Sequence, residues 1–108
     1  MNIDTQQLKY YHPKLRKLLP WLEESTGLNF TITSQYRIDD DGVHGMLPLR
    51  GTDLRMRIIS IGRKIETHIN ENWHYDPDRP DMKCAILHGE GSELHLHIQV
   101  HHKTRRVI

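Results

Sequence analysis

KCAILHGEGSELHLHIQV, residues 83–100, holds two strand-like runs, KCAILH and ELHLHIQV, parted by GEGS. Two glycines in so short a connection mark a turn, so the stretch is predicted to fold as an antiparallel hairpin. Side chains alternate between the two faces of a strand. Leu94, Leu96, Ile98 and Val100 therefore share one face and must look into a core, while Glu93, His95, His97, Gln99 and His101 share the other. An imidazole pair and a carboxylate are thus presented together on a side that is at least partly open. Two histidines alone would be explained by an ordinary solvent-facing strand.

Upstream, Ile58, Ile61, Ile65, Ile69 and Trp73 recur every three or four residues with Arg63, Lys64, Asn70 and Glu71 between them, which predicts an amphipathic helix. YDPDRPD ends it, since the residue before a proline is pushed out of the helical region. A first helix is predicted over PKLRKLLPWLEEST from the apolar face Leu15, Leu18, Leu19 and Leu22, with His12 at its entry and Gly27 as its C-cap. Pro20 predicts a kink, or a split into two short helices. LNFTITSQYR reads as a strand, IDDDGVHGMLPLRG as an irregular loop and TDLRM as a short extended piece. The order helix, strand, loop, helix, hairpin describes an α+β domain with two main helices on a small antiparallel sheet.

A chain of 108 residues has room for one core, so residues 1–108 are read as a single domain. Fifteen Lys plus Arg against fourteen Asp plus Glu give a net charge of +1, which provides no electrostatic case for nucleic acid or an anionic membrane. The basic run from His101 to Arg106 reads as a solvated chain end. A single cysteine, Cys84, excludes an internal disulfide and a thiolate zinc cluster, so any metal must sit on nitrogen and oxygen. MNIDTQQLKYYHP has no signal-peptide pattern, and no apolar run approaches the ~20 residues of a membrane span, so synthesis and initial residence in the cytoplasm are expected.

Nine histidines stand out, five of them from His88 onward. ETHINENWH lacks two histidines four apart, so His68 reads as a surface residue and His74 as a helix-end cap. GVHGMLPLRGTDLR offers His44 and Asp53. Zinc takes His nitrogen and Asp oxygen, and a catalytic ion keeps one position open beside three protein ligands. His44, Asp53 and one hairpin histidine would supply such a set, although Asp53 could equally serve as a strand-end turn residue.

SQYR, VHG…RGTD and HLHIQV, spread from about Thr33 to Val100, resemble in order the motifs of the LAS-type zinc peptidases. That group contains lysostaphin-like enzymes, D-Ala-D-Ala carboxypeptidases and the hedgehog signalling domain. The similarity is greater to the short D-Ala-D-Ala carboxypeptidase-like branch found in bacteriophage genomes. The resemblance implies a hedgehog/D-Ala-D-Ala peptidase-like fold with Zn2+ on His44, Asp53 and His97. It also implies His95 on the oxyanion side and Glu93 as general base, with Glu90 the alternative, and assigns Arg37 and Ser34 to the substrate carboxylate. His88 could approach the metal across the turn. The separation of His44 and Asp53 is longer than in the family and includes Pro48, so the loop would have to bulge.

The implied function is a zinc-dependent carboxypeptidase or endopeptidase acting on peptidoglycan peptides as a monomer, phage or prophage encoded. Such an enzyme would reach the wall by holin-type release or as part of a virion. The competing expectation is a non-catalytic zinc-binding or virion-associated protein that retains the fold.

Overall fold

A computed structural model describes residues 10–34 and 49–107, with the side chains of Thr33 and Ser34 outside the description. Two helices and a small antiparallel sheet make an α+β architecture. Helix α1 spans Pro13–Thr26 and buries Leu15, Leu18, Leu19 and Leu22 along one face. His12 caps it, its Nδ1 accepting the Lys14 N–H at 3.1 Å. Gly27 closes it at φ 68°, in the left-handed region that favours glycine, and its N–H donates to the Glu23 carbonyl. Of the kink or split expected at Pro20, the split does not occur, since one helix runs through it. Pro20 is exposed on the side away from the leucines, so the helix forfeits one backbone bond there while packing holds the turns on either side.

Strands β1 (Ile32–Ser34), β2 (Gly51–Arg55), β4 (Ala85–His88) and β5 (His95–Gln99) form a sheet in the order β1-β2-β5-β4, antiparallel throughout. The β4–β5 hairpin forms as expected, but β5 begins at His95, two residues later than alternation suggested. Glu93 lies instead in a 3-10 turn, Gly91–Glu93. Leu54, Leu96 and Leu87, then Thr52, Ile98 and Ala85, line the buried face of the sheet. All of these except the polar Thr52 belong to one apolar cluster with the α1 leucines, Ile65, Ile69, Tyr11, Phe30 and Leu49.

Helix α2 spans Ile59–Asn72 and buries Gly62, Ile65 and Ile69. The expected apolar stripe fails at its N-terminal end, where Ile58 is 55% and Ile61 42% exposed. Gly62 explains the change. A Cβ there would stand 2.8 Å from Leu87 Cδ1, so the helix seats on the sheet through the glycine and turns its first isoleucines outward.

The same helix covers the β4 edge of the sheet. Asn70 donates to the Ala85 carbonyl and accepts the Ala85 N–H, both at 2.9 Å, while Glu66 accepts the Leu87 N–H at 2.6 Å. Four helical residues rise about 6.0 Å and two strand residues about 6.6 Å, so residues four apart on α2 match backbone groups two apart on β4. Asn70→Ala strands two backbone groups and is expected to cost about 2 kcal/mol in urea denaturation with an unchanged m-value.

Beyond α2, β3 (Trp73–His74) pairs with β6 (Arg105–Arg106). This ribbon departs from the sequence expectation at both strands. His74 is a strand residue rather than a helix cap, and the basic end is no free tail, because Thr104 is fully buried, its hydroxyl donating to the Tyr75 carbonyl at 2.7 Å.

Candidate functional site

In the β2–β5 ladder the backbone bonds Val100 N–H to Arg50 and Met56 N–H to Leu94 assign the hydrogen-bonded positions to even-numbered β2 residues. Asp53 and His97 therefore face each other at a non-hydrogen-bonded position, where opposed Cα atoms come within about 4.5 Å and side chains stand closest. Their contact is direct: Asp53 Oδ1 accepts from His97 Nδ1 at 2.9 Å. Both side chains remain partly open, 21% and 27% exposed. Two residues earlier on β2, Gly51 leaves room for the ring, since a Cβ there would lie 3.3 Å from His97 Cε1. Ser34 of β1 stands in register with Asp53 on its other side, so Ser34, Asp53 and His97 form a row across three strands.

The next row joins Arg55, His95 and His88. The Glu93 carbonyl can only accept, so His95 Nδ1–H donates to it at 2.8 Å and Nε2 is left as the free ring nitrogen. Asp53, Arg55, Ser92, Glu93, Leu94 and His95 line an open cleft of about 210 Å³. A larger crevice of about 330 Å³, lined by Trp73, Tyr75, Lys83 and Arg105 among others, shares no residue with it.

Of the residues singled out in the sequence, the fold brings Asp53, His97, His95 and Glu93 to one side of the β2–β5 ladder, although Glu93 arrives from a turn rather than from the strand. His44 and Arg37 lie outside the described residues, as does the side chain of Ser34. Among the described residues no group of three His, Cys, Asp or Glu side chains could hold a metal ion.

No family model, curated protein or solved structure matches the chain. Function must therefore be argued from the site itself.

Arg55 and His88 went unassigned or underweighted in the sequence, yet both stand beside His95. Stepping two residues from Asp53 would have found Arg55. His101 does not share the site face as alternation suggested, because β5 ends at Gln99. Its N–H donates to Thr104 Oγ1, and its ring lies 5.6 Å from that of Tyr75 and 3.9 Å from that of His102. His68 is no bare surface residue: it stacks on Trp21 at 4.8 Å and bonds Ser25 at 2.9 Å. Burial pushes the Cys84 thiol up to about 12, which leaves it a core residue. No helix among the described residues is long and apolar enough to cross a membrane.

The hydrogen bond to Asp53 raises the His97 pKa above the ordinary histidine value, against the opposing effect of burial, with the Asp53 charge and the Gln99 side chain adding to the rise. A raised folded value stabilises the protein fully below the unfolded pKa near ~6.5, and the contribution disappears as pH rises through the folded value. His12 and His101 are lowered, chiefly by desolvation, and act in the opposite sense. The comparison with Asp53→Asn isolates His97. In chelator, the wild type is expected to lose more melting temperature than Asp53→Asn between pH 6 and pH 8; equal losses would contradict the assignment.

Proposed function

We propose that the chain is a zinc-dependent peptidase acting on peptidoglycan peptides, with Asp53, His97 and His44 as the metal ligands. The observation that supports it is the Asp53–His97 contact at 2.9 Å on the partly open side of the sheet. Two donor atoms at about 2.0–2.1 Å on a tetrahedral ion stand roughly 3.3 Å apart, so this pair needs to open by only a few tenths of an ångström for zinc to replace the shared proton. An oxygen and an imidazole nitrogen are also the donor types zinc takes when thiolates are absent. The α+β architecture is compatible with the hedgehog/D-Ala-D-Ala peptidase-like fold that the sequence motifs imply.

Zinc, when bound, polarises a scissile carbonyl and acidifies water. Glu93, at the cleft that Asp53 and His95 also line, takes the proton of the attacking water and passes it to the leaving amine. His95, its ring oriented by the Glu93 carbonyl, donates from Nε2 to the developing oxyanion in its protonated form. Arg55 provides a guanidinium in the same cleft, while Arg37 and Ser34 hold the substrate carboxylate in the assignment that the resemblance implies. The enzyme acts as a monomer, is phage or prophage encoded, and reaches the wall by holin-type release or within a virion.

One feature favours a second reading, a non-catalytic zinc-binding or virion-associated protein of the same fold. Glu93 is exposed and sits in a short turn, not on the strand beside His97. Glu93→Gln separates the two. Loss of peptidoglycan-peptide cleavage by about 10²-fold or more with zinc content unchanged supports the peptidase, whereas a zinc-loaded parent protein that cleaves no wall peptide supports the binding protein.

A further inference from the structure

We propose that His88 and His95 form a second metal site, a two-nitrogen chelate for a divalent late transition ion such as zinc, on the outer side of the β4–β5 hairpin. The two residues are cross-strand partners. Gln99 N–H bonds the Cys84 carbonyl, so hydrogen-bonded positions recur at Ile86/His97 and His88/His95, where Cα atoms stand about 5.5 Å apart. The imidazoles approach one another across this pair, with centroids 5.3 Å apart and planes inclined at 60°. On one tetrahedral ion, Zn–N bonds of about 2.0–2.1 Å, extended by about 1.1 Å to each ring centre, place two imidazole centroids about 5.2 Å apart. The observed separation, in an edge-to-face pair, is compatible with two ligands to a shared ion.

The lone pairs are also available. His95 commits Nδ1–H to the Glu93 carbonyl and keeps Nε2, so an ion bound there takes this nitrogen from its oxyanion-side role and the two uses exclude each other. His88 is exposed and makes no hydrogen bond among the described residues. Arg55 faces His95 from β2 and opposes a cation, but it is exposed and can turn outward, and the Glu93 carboxylate stands at the same cleft. The site is separate from the Asp53–His97 pair, because Ile86, not His88, lies opposite His97 on β4. The other adjacent imidazoles, His101 and His102, have centroids only 3.9 Å apart, too close for two rings on one tetrahedral ion. Affinity should follow the general order for nitrogen sites, with copper above nickel and zinc.

The test is calorimetric titration of Zn2+ into the full-length untagged protein, with imidazole NMR resonances followed in parallel. The expected result is a site weakened at least about tenfold by His88→Ala and by His95→Ala but retained in His97→Ala and in the His101→Ala/His102→Ala double variant. In the NMR titration, His88 and His95 resonances should move together. A zinc titration of His88→Ala identical to that of the parent protein, or loss of this site with His101 and His102 instead, would overturn the proposal. The His97→Ala arm keeps the two sites apart: if the peptidase reading fails, His97→Ala changes no zinc binding while the His88 effect persists.

Discussion

Replacing His97 by alanine is expected to remove the zinc held with Asp53 and to lower wall-peptide cleavage by at least about two orders of magnitude while leaving the fold intact. Loss of a group that merely orients a ligand already costs 10–100-fold in affinity or activity, and His97 is proposed as a ligand itself. The fold should survive because the ring lies on the partly open side of the sheet, with Leu96 and Ile98 carrying the core contacts of β5. Asp53→Ala should have the same effect, and the double variant should be little worse than either single one, since residues acting as a unit do not add. His101→Ala, beyond the end of β5, should leave zinc and cleavage unchanged. No loss of zinc in His97→Ala relative to the wild type would remove the ligand assignment.

Gly89→Ala is expected to be the most disruptive change in the hairpin. Gly89 has φ 87°, a conformation alanine adopts only with strain, and an added Cβ would run into the backbone carbonyl of Glu93. The conflict is between backbone segments, so no side-chain rotation relieves it. A loss of about 2–3 kcal/mol in denaturant unfolding follows. Because the same carbonyl orients His95 through its Nδ1–H, cleavage should also fall beyond what stability explains. Gly91→Ala is the control: its φ is 55°, but a Cβ there would meet nothing within 4 Å, so only the conformational cost of about 1 kcal/mol is expected. Equal effects at the two glycines would contradict this account of the turn.

Much of the architecture was legible because alternation and helical periodicity are local. Leu94, Leu96, Ile98 and Val100 are all buried, as strand alternation required, and the α1 face and the Gly27 cap follow equally local rules. What was hidden depends on contacts distant in sequence. The outward turn of Ile58 and Ile61 comes from the close seating of Gly62 on Leu87. The ribbon of Arg105–Arg106 with Trp73–His74 has no period of its own, so a basic run read as a loose end.

The site divides in the same way. Strand period placed His95 and His97 together, but pairing His97 with Asp53 depends on the β2–β5 register across 44 residues. Alternation carried back from Leu94 puts Glu93 on the strand, whereas the chain winds Gly91–Glu93 into a 3-10 turn that takes in this residue. Arg55 was within reach of the same two-residue step once Asp53 was taken as a strand residue.

Asp53 and His97 are proposed to bind one zinc ion together. Anomalous diffraction at the zinc edge from crystals of the untagged protein addresses it directly. The expected result at this pair is a strong peak about 2.0–2.2 Å from an Asp53 carboxylate oxygen and from a His97 ring nitrogen, distinct from any at His88 and His95. A zinc-supplemented crystal in which Asp53 and His97 still bond each other with no peak between them would contradict it.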